Sequence, residues 1–495
     1  MAQGRGGVPG SGRADNDERA LTHMSTSTDP TLWSAAELLV AYRDRKLSPV
    51  EVTKATLARI EKFNPIVNAY IHVDMDGALA EAKASEARWM TGAPKGLVDG
   101  VPVGVKDNFL VADMPARFGS QLTSDATQTT DSPSVARLRE HGAVFLGKTT
   151  MPEYGWKATS DSPLTGLTRN PWDTRMTTGG SSSGAVASAV LGMGPLQLGT
   201  DGGGSIRIPA AFTGCFGIKP TRARVPIYPA APLGTIAHHG PLTRTVTDAA
   251  IMMSVISQPD ARDVYAWIAP ATYYTNNLDD GVRGLRIAYS PRLGYAPRVD
   301  PEIEAAVAKA VRTFESLGAK VEQVDPELGG DPIPAWNTIW WSSMALALQA
   351  FGDRAAQLAD PGLLAGAGQG AGTLATDYMR AQLKRAELHN VFVRFHQTYD
   401  LLLTPSLPLP AFEVGHLVPP SGEWGTAWCD WAPFSYPFNL TQQPASSVPC
   451  GFTSQGLPIG LQIVGPIGAD DRVLRASRAF ETTAPFAMLD EPRQH

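Results

Sequence analysis

The stretch from Gly100 to Leu146 limits the fold more than any other part of the chain. In GVPVGVKDN, Val101, Val103 and Val105 alternate as in a strand and place Lys106 near its carboxyl end. Residues 133 to 141 carry a helical pattern that stops at Gly142, and Ala143-Val144-Phe145-Leu146 follow as a short buried strand. Strand, helix and strand in this order build a parallel pair with a helical crossover, so an α/β fold is expected. Similar signals recur. Ser34 with Glu37 and Ser48 with Glu51 read as capping boxes, the second with Pro49 at the first helical position. Further helices are expected over 75–90, from Ala185 to Leu191, and from Asp300-Pro301 to Gly318. Strands are expected at 196–200, 285–289, 321–324 and 459–463. No linker or internal repeat divides the chain. Residues 31–495 therefore read as one large domain, with 325–400 as a helical appendage that shapes a cleft.

Composition excludes several classes of function. The formal net charge is −6, and no basic cluster exceeds RDRK at 43–46, so nucleic acid has no electrostatic footprint here. Three cysteines, Cys215, Cys429 and Cys450, lie far apart, which fits a reducing, cytoplasmic location and argues against a disulfide framework or structural zinc. No segment reaches the roughly 18 apolar residues of a membrane span. Residues 1–30 are rich in Gly, Ser, Asp and Arg, lack a signal-peptide core, and read as a disordered leader.

Two serine loops sit close together, GGSSSG at 179–184 and DGGGS at 201–205. The first alone could be a turn capping the next helix. It also contains G-x-S-x-G at 180–184, the nucleophile elbow of α/β-hydrolases, but that motif needs a strand directly before it. Here TRNPWDTRMTT reads as loop, and nothing marks His389, His396 or His416 as the partner base. His238-His239 has no nearby ligand partner and reads as packing, not a metal site. Gly202-Gly203-Gly204 lacks both the Lys-Ser/Thr of a P-loop and the spacing of G-x-G-x-x-G. A third reading joins both loops to Lys106. A serine hydroxyl becomes a nucleophile once a base takes its proton, and a lysine made neutral by burial can be that base. Ser205, after three glycines and at the start of a helical turn, would have bare N–H groups beside it to face an oxyanion.

VGVKDN, GGSSSG and GTDGGGSIRIPAAFTGCFGIKPTRARV resemble the amidase signature family of serine hydrolases. Lys106, Ser181 and Ser205 stand at matching spacings, and GKTTMPE, YDLLLTPSLP, PFNLTQQPASSVPCGF and GLPIGLQIVGP extend the likeness over most of 34–485. The resemblance implies the fold of that family, a large mixed central β-sheet covered by helices on both faces. It implies Lys106 as base, Ser181 as a bridging serine in a cis peptide, and Ser205 as nucleophile. The N–H groups of Gly202, Gly203, Gly204 and Ser205 would form the oxyanion hole, with Ser182, Asp201 and Arg207 in support. No metal or cofactor is implied. Two positions depart from the common pattern: Gly202 stands for Thr or a larger residue, and Ser183 for Gly. Gly202 is expected to loosen the oxyanion loop or widen the acyl site.

The family's hydrolases act on amides, carbamates and lactams, and the family also holds the glutaminase subunit of a tRNA-dependent amidotransferase. Six of the eleven tryptophans fall in AWNTIWW (Trp336, Trp340, Trp341) and EWGTAWCDW (Trp424, Trp428, Trp431). They are core residues or the wall of a cleft; as a wall they favour an aryl or bulky apolar substrate over glutamine. The expected partner is a small-molecule amide or carbamate, hydrolysed by a monomer or homodimer similar to bacterial aryl-acylamidases and urethanases. The alternative is the glutaminase subunit.

Overall fold

Eleven strands pair edge to edge into one mixed sheet in the computed structural model, which describes residues 27–268 and 272–494. In chain order they are β1 (Tyr70–Val73), β2 (Pro102–Lys106), β3 (Val144–Thr149), β4 (Leu196–Asp201), β5 (Phe216–Lys219) and β6 (His238–Thr243). The rest are β7 (Arg286–Tyr289), β8 (Lys320–Gln323), β9 (Leu401–Pro405), β10 (Ala445–Phe452) and β11 (Pro458–Val464). Across the sheet the order is β1-β3-β2-β4-β6-β5-β10-β11-β9-β7-β8. The pairs β3/β2, β2/β4, β9/β7 and β7/β8 are parallel and the other six antiparallel. β2 and its parallel neighbour β3 are the strands expected from the sequence, joined through the helix Pro133–Glu140.

Every residue of β2, β3, β6, β9 and β11 is buried, which places packed material on both faces of the sheet centre. The helices read from caps form as expected. Ser34 accepts from Glu37 N–H while the Glu37 carboxylate accepts from Ser34 N–H, and Ser48 with Glu51 repeats the arrangement. The helix Met75–Met90 coincides with its expected span. Pro301–Ser316 starts on an Asp300 cap and turns its apolar stripe of Ile303, Val307, Val311 and Phe314 inward.

Between β8 and β9 the chain forms only helices: Ile333–Gln349, Asp353–Leu358, Pro361–Ala371 and Ala375–Phe395. This segment is pinned to the sheet domain at Asp360, whose carboxylate pairs with buried Lys157 at 2.9 Å and whose N–H reaches Glu153 at 2.5 Å. Residues 1–26 of the expected leader lie outside the described residues. The described chain opens with Asp29 capping the turn Pro30–Leu32. No helix among the described residues is long and apolar enough to cross a membrane.

Candidate active site

Lys106 is the last residue of β2, and Thr200 is the penultimate residue of the adjacent parallel strand β4. Carboxyl ends of parallel neighbours are where α/β sheets offer polar side chains to a crevice. The Lys106 Nζ lies 2.7 Å from Ser181 Oγ, 3.0 Å from Ser182 Oγ and 2.9 Å from Thr200 Oγ1. Its side chain is fully buried, and burial pulls its pKa well below the usual lysine value, against a smaller upward pull from Asp201. Ser182 Oγ also donates to the Thr200 carbonyl at 3.2 Å, and Asn108 donates to Thr200 Oγ1 at 3.1 Å.

The loop carrying Ser181 leads into the helix Ser183–Val190, and its Gly180–Ser181 peptide is cis. Gly180 is required by space: a Cβ there would sit 2.2 Å from the Thr159 carbonyl oxygen. Ser183, the departure from the common pattern, bonds back to the Gly179 carbonyl at 2.9 Å and ties the loop to itself. The Ser182 N–H donates to the Ser205 carbonyl at 3.2 Å, which brings the two serine loops together.

Asp201 organises the second loop. Its carboxylate accepts from the N–H groups of Gly204 (2.8 Å) and Ile206 (3.2 Å), from Arg207 through two nitrogens (both 3.0 Å), and from Asn439 (2.8 Å). Burial alone would raise this carboxyl, but Arg207, Lys219 and Asn439 outweigh it and hold it well below the usual range. Arg207 is completed by the Ser435 carbonyl, Gln462 and the Asn439 carbonyl oxygen at 2.9, 2.8 and 2.7 Å.

Three expectations are corrected here. Ser205 does not open a helix: it lies in a turn, and the helix begins at Arg207 and is only seven residues long. The Gly204 N–H, expected among the oxyanion donors, is taken by Asp201, whereas those of Gly202, Gly203 and Ser205 donate to no group among the described residues. Gly202 does not widen the site. A Cβ there would meet Trp340 at 2.9 Å and Leu233 at 3.2 Å, so the space is already filled. The Ser205 hydroxyl has no hydrogen-bond partner among the described residues, and the residue keeps a sliver of exposure at 8%.

The tryptophans divide. Trp336, Trp340, Trp428 and Trp431 are buried, as core residues would be. Three of them nevertheless pack on the glycine loop, since a Cβ on Gly203 would meet Trp336 at 2.6 Å and Trp428 at 3.2 Å. Trp336 donates its indole N–H to the Gly202 carbonyl at 3.1 Å. Thr200, Asn439 and Ser435 are not among the residues read from the sequence, and Trp336 is there only as core or cleft wall. Thr200 directly precedes Asp201 and could have been read as a hydroxyl acceptor for the lysine; the others approach from more than 130 residues away.

The elbow reading fails on geometry. A short strand, Asp173–Thr177, does precede the loop, contrary to its reading as loop, but it belongs to a two-stranded ribbon outside the main sheet. His396 is engaged with Gln443 and the Tyr399 carbonyl, and His416 approaches Glu413; no histidine bonds to the GGSSSG loop among the described residues. His238 and His239 are buried on β6, and burial carries His239 down to about 3. No group of three His, Cys, Asp or Glu side chains among the described residues is placed to hold a metal ion.

Residues 51–474 match the family model described as Amidase. An acylamidase of Rhodococcus erythropolis is 35% identical over 459 residues, spanning 92% of this chain and 96% of its own. A glutamyl-tRNA(Gln) amidotransferase subunit of Myxococcus xanthus (strain DK1622) is 36% identical over 490 residues, spanning 94% and 99%. The crystal structure of a bacterial aryl acylamidase of the amidase signature family superposes with a TM-score of 0.85 at 32% identity, over 91% of this chain and 96% of that one. Matched along nearly its whole length by a family model and by relatives above 30% identity, the chain belongs to the amidase family and is an amide-hydrolysing enzyme.

Proposed function

We propose that this enzyme hydrolyses N-aryl or bulky apolar amides and carbamates, with Ser205 as nucleophile, Ser181 as proton relay and Lys106 as base. The observation that carries the chemistry is the buried Lys106 amine at 2.7 Å from Ser181 Oγ. A neutral amine has two N–H donors and one lone pair. Ser182 donates its own proton to the Thr200 carbonyl and so accepts one of the amine's donors, and Thr200 Oγ1 accepts the other. The lone pair then faces Ser181, whose hydroxyl passes its proton to Lys106 as it takes the proton of Ser205.

Ser205 Oγ attacks the carbonyl carbon, and the resulting oxyanion is met by the unengaged N–H groups of Gly202, Gly203 and Ser205. Ser181 returns the proton to the leaving nitrogen as the C–N bond breaks. Water then hydrolyses the acyl-enzyme through the same groups. A carbamate gives an alkoxycarbonyl-enzyme whose hydrolysis releases carbon dioxide. No step calls on a cofactor.

Likeness to an acylamidase and to an aryl acylamidase supports an aryl amide substrate. Asp201 and Arg207, beside the glycine loop, are paired with each other and fully buried. A second reading, the glutaminase subunit of a tRNA-dependent amidotransferase, is favoured by the 36% identity to the Myxococcus xanthus protein. The cysteines remain free thiols, which supports a cytoplasmic location. Steady-state kinetics on an anilide against its alkylamide, and an aryl carbamate against glutamine, decide between the readings. Higher kcat/KM for the aryl substrates is expected, whereas a preference for glutamine, or activity only with added partner subunits, selects the second.

A further inference from the structure

The glycine loop has a weak point where three glycines follow one another. The peptide joining Gly202 to Gly203 has glycine on both sides, so neither flanking torsion is restrained by a Cβ. Such a peptide can rotate about its long axis, and half a rotation would replace its N–H with its carbonyl. In a trans peptide the two groups point in opposite directions, so fixing one fixes the other. Trp336 does this: its indole N–H holds the Gly202 carbonyl at 3.1 Å, which aims the Gly203 N–H the opposite way. The next peptide is fixed at both ends. Ser435 Oγ lies 2.8 Å from the Gly203 carbonyl, and the Gly204 N–H is bound by Asp201. Of the N–H groups in these two peptides, only that of Gly203 donates to no group among the described residues.

The indole is itself immobilised. Trp336 is fully buried, stacks on Trp340 at 4.6 Å between ring centres, and meets Trp428 edge-on at 5.3 Å. We infer that Trp336 is a positioning residue for amide hydrolysis, keeping the Gly203 N–H turned toward the oxyanion that forms on attack by Ser205. The inference rests on the reading of Ser205 and the glycine loop given under Proposed function. A carbonyl presented by a rotated peptide would repel the oxyanion, so Trp336 acts on the transition state and not on substrate binding.

Trp336→Phe keeps a ring in place and removes the donor. Trp340→Phe is the packing control, because the Trp340 indole N–H has no partner among the described residues. Affinity is measured for a trifluoromethyl ketone, which adds reversibly to a serine, and for the matching alcohol, which does not. For Trp336→Phe we expect kcat and ketone affinity to fall about tenfold, with KM and alcohol affinity within about twofold of wild type. Trp340→Phe should leave the ketone-to-alcohol affinity ratio unchanged. The inference is overturned by an unchanged kcat in Trp336→Phe, or by an equal fall of the ratio in Trp340→Phe. It is equally overturned by a kcat loss matched by a loss of fluorophosphonate-titratable sites. Wild-type enzyme without amide turnover would instead remove the reading beneath it.

Discussion

At Lys106, burial and hydrogen bonding act in opposite directions. Burial disfavours the ammonium, while three hydroxyl oxygens within 3.0 Å would each accept a proton from it. The net shift is downward, so the rate should rise with pH through the lowered lysine pKa and level off at neutral to alkaline pH. A maximum near pH 5 would be incompatible with a lysine base. Loss of a positioned base or relay costs about 10²–10⁴-fold, so Lys106→Ala and Ser181→Ala should each lose at least that much in kcat/KM. Thr200→Val removes an acceptor that binds the ammonium more strongly than the neutral amine, so the acidic limb of the pH–rate profile should move to lower pH. A limb that stays in place or moves upward would show that Thr200 does not touch the titrating group.

The loop from β4 into the helix Arg207–Thr213 is held by the buried Asp201–Arg207 pair, whose side chains have no exposure. Removing one partner of such a pair strands the other charge, at a cost of about 3–5 kcal/mol. Arg207→Met should therefore lower the unfolding free energy from urea titration by that order and abolish activity with it. Asp201 is held below its unfolded pKa, so its contribution is complete above the ordinary carboxylate range and is lost as pH falls through the lowered value. The variant should accordingly be more stable relative to wild type in strong acid than at neutral pH. Much of this element level was legible beforehand. Capping boxes and Pro49 marked helices because those signals are local, and alternation marked β2 and β11. β1, β5, β6, β9 and β10 went unread. β6 reads His238-His239-Gly240-Pro241, and β9 reads Leu401-Leu402-Leu403; strands buried on both faces need no alternation. Within the candidate site, Lys106, Ser181 and Ser205 could be picked out because they lie in short motifs. The contacts of Trp336, Ser435 and Asn439 could not, since they depend on which distant segments fold over the glycine loop.

Over the whole molecule, the helical segment from 333 to 395 supplies Trp336 and Trp340 to that loop and is fastened through Asp360 to Lys157 and Glu153. Asp360→Ala leaves Lys157 with Asp161 alone and removes the cap of Pro361–Ala371, for which roughly 3 kcal/mol of destabilisation is expected in urea titrations. Dialysis against EDTA should leave the rate unchanged; inactivation restored by zinc would overturn the serine mechanism. The most direct measurement is peptide mapping by mass spectrometry of enzyme inactivated with a fluorophosphonate. The expected adduct is on Ser205, formed at one per chain and strongly slowed in Lys106→Ala. An adduct on Ser182, or full labelling of Ser205→Ala at an unchanged rate, would contradict a Ser205 nucleophile driven by Lys106 through Ser181.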